Sequence, residues 1–298
     1  MTRQLELGGA RYELVCVRRS GVAVFRGPGR FLRLGDEVPV ELETHRRMLE
    51  LGYPVAEILD VGELDGAPYL VERSLGEPTL GDAWADRGDA SRVSSEEFAG
   101  LVAIMVRQAH AQLRDIRLPD REELAGFLGV GAACANVPAL AGDIEEAFSR
   151  ASISLRDFPA VLQHGDLHPF NICPLGIIDL EGAGWAPAGY DVTTAVLEPT
   201  PDEAVWAHER LTTAWFTPPQ VTTYLEAIDR VFHEASLPPP SASLDAYLVC
   251  RVLATCSRIP RDPEIWHGRR QTLERSLASF LESGRFPMTL GRDSGSGS

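Results

Sequence analysis

The densest concentration of reactive side chains is "QHGDLHPFN" at residues 163–171, where two histidines, a carboxylate and an amide share nine positions. His164 and His168 form an H-x-x-x-H pair, a spacing that on a helix presents two imidazoles on one face to zinc. Gly165 interrupts the run and Pro169 directly follows His168, which disfavours a helix, and no third ligand is identifiable. A second pattern takes in more residues. Asp166 and Asn171 are separated by four positions, and eight residues after Asn171 the run "IIDLE" supplies Asp179 and Glu181. Phosphoryl transfer from a nucleotide calls for an acid that orients the acceptor hydroxyl, and for an amide and a carboxylate that hold magnesium against the phosphates. Pairing of Ile172-Cys173 with Ile177-Ile178 across Pro174-Leu175-Gly176 would bring Asn171 and Asp179 together.

The elements that must position these residues are legible in outline. "RYELVCVRR", "VAVFR" and "RFLRLG" are short, rich in β-branched and aromatic residues, and separated by Ser20-Gly21 and Gly27-Pro28-Gly29, which predicts a three-stranded meander. "PVELETHRRMLELG" predicts a helix with Pro39 near its start and Gly52 just past its end. Residues 56–73 then read as two strands around Leu64-Asp65-Gly66. "SLGEPTLGDAW" has the composition of a hinge. Beyond it, helical spacing dominates. Ser94 and Glu97 form a capping box ahead of Phe98, Leu101, Val102, Met105, Ala109 and Leu113. Further helices are expected around Val221–Phe232, around Leu244–Leu253 and over "RRQTLERSLASFLES", with a strand-like stretch at 160–184 carrying the polar cluster. This predicts a sheet-rich unit over 1–75, a helical unit over 76–290 and a flexible tail at 291–298.

Composition narrows the chemistry. A chain of 298 residues with 44% hydrophobic and 24% charged residues is that of a globular protein of one bilobal unit or two domains. The net charge of −15 argues against nucleic acid and anionic membranes as partners and suits a cationic substrate. No apolar run reaches the ~18 residues of a membrane span, and the N-terminus lacks the features of a signal peptide. The five cysteines are odd in number and form no C-x-x-C pair, so a reducing cytoplasm is the expected location. All 28 basic residues are arginine, so no side chain here can supply a Schiff base or an amine nucleophile.

"HGDLHPFN" followed by "IIDLE" and "GYD" resembles the aminoglycoside phosphotransferase and choline kinase superfamily, small-molecule relatives of the protein kinases. "RRSGVAVFR" looks like that family's nucleotide loop, "RFLRLG" its third strand, "YLVER" its fifth, and "QAHAQL" the helix before the catalytic loop, so the resemblance covers most of the chain. It implies an α+β, bilobal, protein-kinase-like fold, with a small antiparallel sheet lobe carrying one helix and a larger, mainly helical lobe. The activity implied is magnesium-dependent transfer of the γ-phosphoryl of ATP or GTP to a hydroxyl of a small molecule, for instance a cationic antibiotic such as an aminoglycoside. Asp166 would be the catalytic acid or base, Asn171 and Asp179 the metal ligands, and Glu181 a further candidate ligand. The backbone amides of Ser20, Gly21 and Val22 would approach the phosphates; His164 would hold the loop and Asp191 would be structural.

The sequence departs from the family in three places. Arg33 occupies the third-strand position that carries lysine, and Glu43 or Glu41 would be its helix partner. Arginine keeps the charge and can grip phosphate in two places, but it is longer and planar. The span from Asn171 to Asp179 is short, and Ala186 stands before Pro187 where an acid is common. Asp202, Glu203, Glu226 and Asp229 are candidates for receiving a cationic acceptor, or solvated helix faces. The missing lysine also admits another class of function, a catalytically degenerate kinase fold that binds a nucleotide or a partner.

Overall fold

The computed structural model describes residues 4–18, 20–85, 93–195, 216–258 and 263–287. Alternating apolar and polar residues early in the chain form β1 (Gln4–Leu7), β2 (Ala10–Val17), β3 (Ala23–Gly27), β4 (Arg30–Leu34), β5 (Ile58–Leu64) and β6 (Ala67–Arg73). These pair antiparallel into one six-stranded sheet in the order β1-β2-β3-β4-β6-β5. The β5–β6 turn is the expected Asp65-Gly66, both with positive φ (53° and 82°), as a tight hairpin demands. β1 is an addition to the expected strands. Period-two alternation gives the sheet two apolar faces. Tyr12, Phe25, Leu32 and Val71 pack on one, while Val22 and Leu70 meet Val38 on the other.

Val38 belongs to α1 (Val38–Leu51), which buries Val38, Glu41, His45, Met48 and Leu51 along one stripe at helical spacing. Gly52 stops the helix in a left-handed conformation, with its N–H bonded to Leu49 O. The main core starts at this end of α1. Met48, Leu51, Tyr53 and Val55 pack with residues of the helical part, Arg114 Nη1 caps Leu51 O at 3.0 Å, and the Tyr53 hydroxyl donates to Leu162 O.

The helical part comprises α2 (Leu80–Ala85), α3 (Ser95–Gln112), α4 (Arg121–Leu128), α5 (Val130–Asn136), α6 (Ala141–Ser154), α7 (Tyr190–Thr194), α8 (Pro218–Glu234), α9 (Leu244–Ser257) and α10 (Pro263–Ser283). The capping box at the start of α3 forms in both directions, Glu97 N to Ser94 Oγ at 3.2 Å and Ser94 N to Glu97 Oε2 at 3.0 Å. Helix α9 is the central post: ten of its residues are buried, and α4, α5, α6, α7 and α10 pack around it. Helices α4 to α6 fill a stretch with no expected element, and α2 lies inside the segment read as a hinge. Among the described residues no helix is long and apolar enough to cross a membrane.

Short strands carry the polar cluster. β7 (Ala160–Gln163) pairs with β10 (Gly184–Pro187), and β8 (Ile172–Cys173) pairs with β9 (Gly176–Ile177). The second pair corrects the expected hairpin. Gly176 is in the strand, opposite Cys173, and the turn is Pro174-Leu175 alone. A Cβ at Gly176 would lie 2.0 Å from Pro54 O, so only glycine lets the hairpin dock there, where Ile177 N bonds Pro54 O at 2.7 Å.

Candidate active site

Strand β7 delivers the chain to His164, and a buried carboxylate fixes the turn at its end. Asp191, the second residue of α7, accepts the backbone N–H of His164 at 2.5 Å and of Gly165 at 3.0 Å. Gln112 reaches the same carboxylate at 3.3 Å, and its amide also bonds Gln163 Oε1 at 2.6 Å. Burial pushes the Asp191 carboxyl up from its usual range, against the pull of His164 and the two backbone donors. Gly165 has φ +83°, and a Cβ there would lie 2.0 Å from Gly182 O. No other residue fits this turn.

His164 ties the two halves of the site together. Its Nδ1 accepts the Asp166 N–H at 3.2 Å, so the proton sits on Nε2, which donates to Ile178 O at 2.7 Å. Both ring nitrogens are therefore engaged with backbone, which removes His164 as a zinc ligand. Among the described residues no group of three or more His, Cys, Asp or Glu is arranged to hold a metal ion. The His168 ring lies 3.3 Å from Asn171 Nδ2 and stacks edge-on with Phe170.

Asp166 is held in a clamp of two arginines that the sequence reading did not include. Arg251 Nη2 contacts Oδ1 at 3.0 Å and Arg258 Nη1 contacts Oδ2 at 2.9 Å. Burial alone would raise the Asp166 carboxyl, but Arg251 and then Arg258 reverse this and hold it well below the usual carboxylate range. It is ionised and aimed, a group suited to orienting a hydroxyl rather than to storing its proton.

Asn171 and Asp179 come together as the short span required. Asn171 Nδ2 donates to Asp166 O at 2.8 Å, which leaves the side-chain oxygen as its free end, and Asn171 O accepts the Ile178 N–H at 2.9 Å. The next residue, Asp179, adopts a left-handed conformation (φ 70°, ψ 70°). Its Oδ1 is buried and, among the described residues, receives no hydrogen bond; it faces Arg18 Nη1 in an ion pair at 3.1 Å. An amide oxygen and a carboxylate oxygen with unused acceptor capacity, on segments joined by the Ile178–Asn171 backbone bond, are the kind of donors that a hard divalent cation such as magnesium takes. Glu181 is exposed, in the single turn that follows.

Above this pair lies a cleft of about 580 Å³, lined by Val24, Phe31, Arg33, Leu75, Ile178 and Asp179 among others. Its apolar lining suits a planar base, and Arg18, Arg33, Glu72 and Asp179 are among its charged groups. Arg33 is buried there, its side chain 5% exposed. It bonds Glu72 Oε1 through Nε (3.1 Å) and Nη2 (2.9 Å), and Glu41 Oε2 through Nη1 (2.9 Å). Burial would lower the Arg33 pKa, but the charges of Glu72 and Glu41 outweigh it and raise the pKa above the ordinary arginine value. Glu72 in turn faces His45 Nδ1 at 3.7 Å. Burial holds the His45 pKa below its ordinary value, against the opposing charge of Glu72.

Two expected assignments are corrected. Glu43 is exposed on the outer face of α1, two residues from the buried stripe, and Glu41 is the helix partner of Arg33. Ser20, Gly21 and Val22 do not offer three free amides, because the Gly21 N–H is bonded to Arg18 O at 3.0 Å. Val22 is buried under the sheet, and the cleft wall is instead formed by Val15, Cys16 and Arg18 of the same hairpin. Of the acids considered for an acceptor, Asp202 and Glu203 lie outside the described residues and Glu226 is on α8. Asp229 is spent on Ser241, accepting its N–H at 3.1 Å and its hydroxyl at 2.5 Å.

Residues 19–238 match the APH phosphotransferase enzyme family. The chain has no match among curated protein sequences. Among solved structures it is similar to a choline/ethanolamine kinase family protein from Mesorhizobium loti, at a TM-score of 0.55 and 16% identity over 92% of this chain and 90% of that one. A type VIII aminoglycoside-3'-phosphotransferase gives a TM-score of 0.49 and 20% identity, over 85% of this chain and 95% of that one. An aminoglycoside phosphotransferase from Streptomyces rimosus, solved with ADP and streptomycin, gives 0.48 and 15%, over 84% and 93%. The first of these likenesses supports the mixed, kinase-like fold, and the family match spans most of the chain, residues 163–181 included. The chain belongs to the APH phosphotransferase enzyme family and is a small-molecule kinase.

Proposed function

We propose that this protein transfers the γ-phosphoryl group of ATP or GTP to a hydroxyl of a small molecule, with magnesium bound by Asn171 and Asp179. The observation that carries the reading is that the segments bearing Asp166, Asn171 and Asp179 are tied together across the β8–β9 hairpin by His164 and the Ile178–Asn171 bond, with Asp179 in the cleft wall. In this reading residues 1–75 form the nucleotide-binding lobe and 76–290 the catalytic and acceptor-binding lobe.

When bound, magnesium would neutralise the phosphates and draw charge from the transferred group. Asp166, ionised and fixed through both carboxylate oxygens, orients the acceptor hydroxyl for in-line attack, which is mostly a matter of positioning. An approaching hydroxyl exchanges for Arg258, the more exposed of the two clamp arginines. Asn171 is aligned by its own bond to the Asp166 carbonyl, so the group that orients the acceptor and a group that holds the metal move as one unit. Retention of all three weighs against a degenerate fold.

The acceptor is a small hydroxyl compound. The net charge of −15 favours a cation such as an aminoglycoside. The test is release of ADP or GDP by the full-length protein with magnesium, across a panel of neutral and cationic hydroxyl compounds. Acceptor-dependent release that Asp166→Asn abolishes supports the reading. Release unchanged by Asp166→Asn would overturn the assigned role.

A further inference from the structure

The proposed reaction leaves open which cation grips the phosphates in a chain without lysine. We infer that this cation is Arg18, just past the end of β2, and that Arg33, at the expected position, is a structural strut. The inference rests on the proposed kinase reading and deepens it.

The two arginines line the same cleft but are held in opposite ways. Arg33 spends all three of its guanidinium nitrogens on two buried carboxylates at 2.9–3.1 Å. Turning it toward a phosphate would strip Glu72 of its arginine and leave Glu41 only the 3.4 Å contact with Arg18 in a buried site, which is strongly unfavourable. Arg18 uses a single nitrogen, Nη1, for both of its contacts, at 3.1 Å to Asp179 Oδ1 and 3.4 Å to Glu41 Oε1. Its side chain is 12% exposed, and among the described residues Nε and Nη2 have no partner.

Charge and position agree with this assignment. The groups alternate in sign from Asp179 through Arg18, Glu41 and Arg33 to Glu72. Without Arg18, the single Arg33 would face the carboxylates at this end of the cleft. Arg18 contacts the very oxygen of Asp179 that a metal ion would use. Were Asp179 to hold such an ion, Arg18 would give up this contact and remain in the cleft wall, open to phosphate oxygens. Its long, planar head can then span two phosphate oxygens, as a guanidinium does and a lysine ammonium cannot.

The experiment is calorimetric titration of the full-length protein with ATP (or GTP, whichever binds) and magnesium, and separately with the matching nucleoside, alongside thermal unfolding. For Arg18→Gln we expect nucleotide affinity to fall about tenfold or more, the loss of one charge-assisted contact. Nucleoside affinity should stay near wild type, and Arg18→Lys should recover part of the loss. A merely structural role would instead lower Tm and weaken nucleotide and nucleoside alike, and that result overturns the inference. Wild-type nucleotide affinity in Arg18→Gln also overturns it, while the kinase reading stands. If neither nucleotide binds the wild-type protein with magnesium, the kinase reading falls and the inference with it.

Discussion

Two charged clusters face the site, and they are built on different principles. Beneath the sheet, Arg33, Glu41 and Glu72 are sealed from water and fully paired, so their charges hold α1 against β4 and β6. At the loop after β7, Asp166 is 29% exposed and Arg258 is 43% exposed, so one side of that clamp opens to solvent. A sealed network cannot change partners without leaving a charge stranded; a half-open one can. The first cluster therefore reads as architecture and the second as machinery. Arg18, on a single nitrogen between the two, belongs with the second.

The largest effect is expected at the loop. Asp166→Asn should lower turnover by about 10²–10⁴-fold, the usual weight of a positioned acid or base, with nucleotide affinity largely kept. Steady-state kinetics beside calorimetry would show the split, and a parallel loss of affinity would place Asp166 in nucleotide binding instead. In the sealed cluster the effect should move to stability. Arg33→Met leaves Glu41 and Glu72 buried without their cation and should cost about 3–5 kcal/mol in urea unfolding. A change below about 1 kcal/mol would mean that the cluster is not sealed in solution.

Smaller effects sharpen the boundary between the clusters. Glu41→Gln should destabilise clearly, by about 1–3 kcal/mol, whereas Glu43→Gln on the outer face should stay within about 0.5 kcal/mol. Equal effects would contradict the assignment of Glu41 to Arg33. Arg258→Ala, removing an exposed pair, should cost about 1 kcal/mol or less in stability. Acid titration gives a last contrast. The Asp166 pKa is depressed in the folded protein, so its contribution to stability is present above the unfolded carboxylate value of about 4 and is lost as pH falls below it. The stability difference between wild type and Asp166→Asn should thus be flat from about pH 8 to about pH 5 and shrink below about pH 4.

Features set by local chemistry were legible in the sequence, and those set by distant pairing were not. The strands β2 to β6, the Asp65-Gly66 turn, the α3 capping box and α1 with Gly52 all announce themselves within a few residues. Asp166, Asn171 and Asp179 were readable by type and order. Glu41 was readable too, since Val38, Glu41, His45 and Met48 share one stripe and Glu43 falls off it. Glu72 became a partner of Arg33 through register: β4 and β6 pair Arg33 with Leu70, and Glu72 lies two residues on, on the same face. The clamp on Asp166 comes from residues more than eighty positions away. Arg251 did leave a signal, as the only charged residue in "AYLVCRVLATC", where a buried cation must have a partner. Helices α4 to α6 were hidden because "GFLGVGAACANVPALAG" carries glycines and small residues that blur the helical period.

The claim on which everything else depends is that Asp179 holds a metal–nucleotide complex in the cleft beneath the sheet. Thermal unfolding of wild type and Asp179→Ala, each with magnesium and either ATP or GTP, tests it directly. One of the two nucleotides should raise the wild-type Tm in a magnesium-dependent manner and leave Asp179→Ala unshifted. An equal shift in Asp179→Ala, or no shift of wild type with either nucleotide, would contradict it.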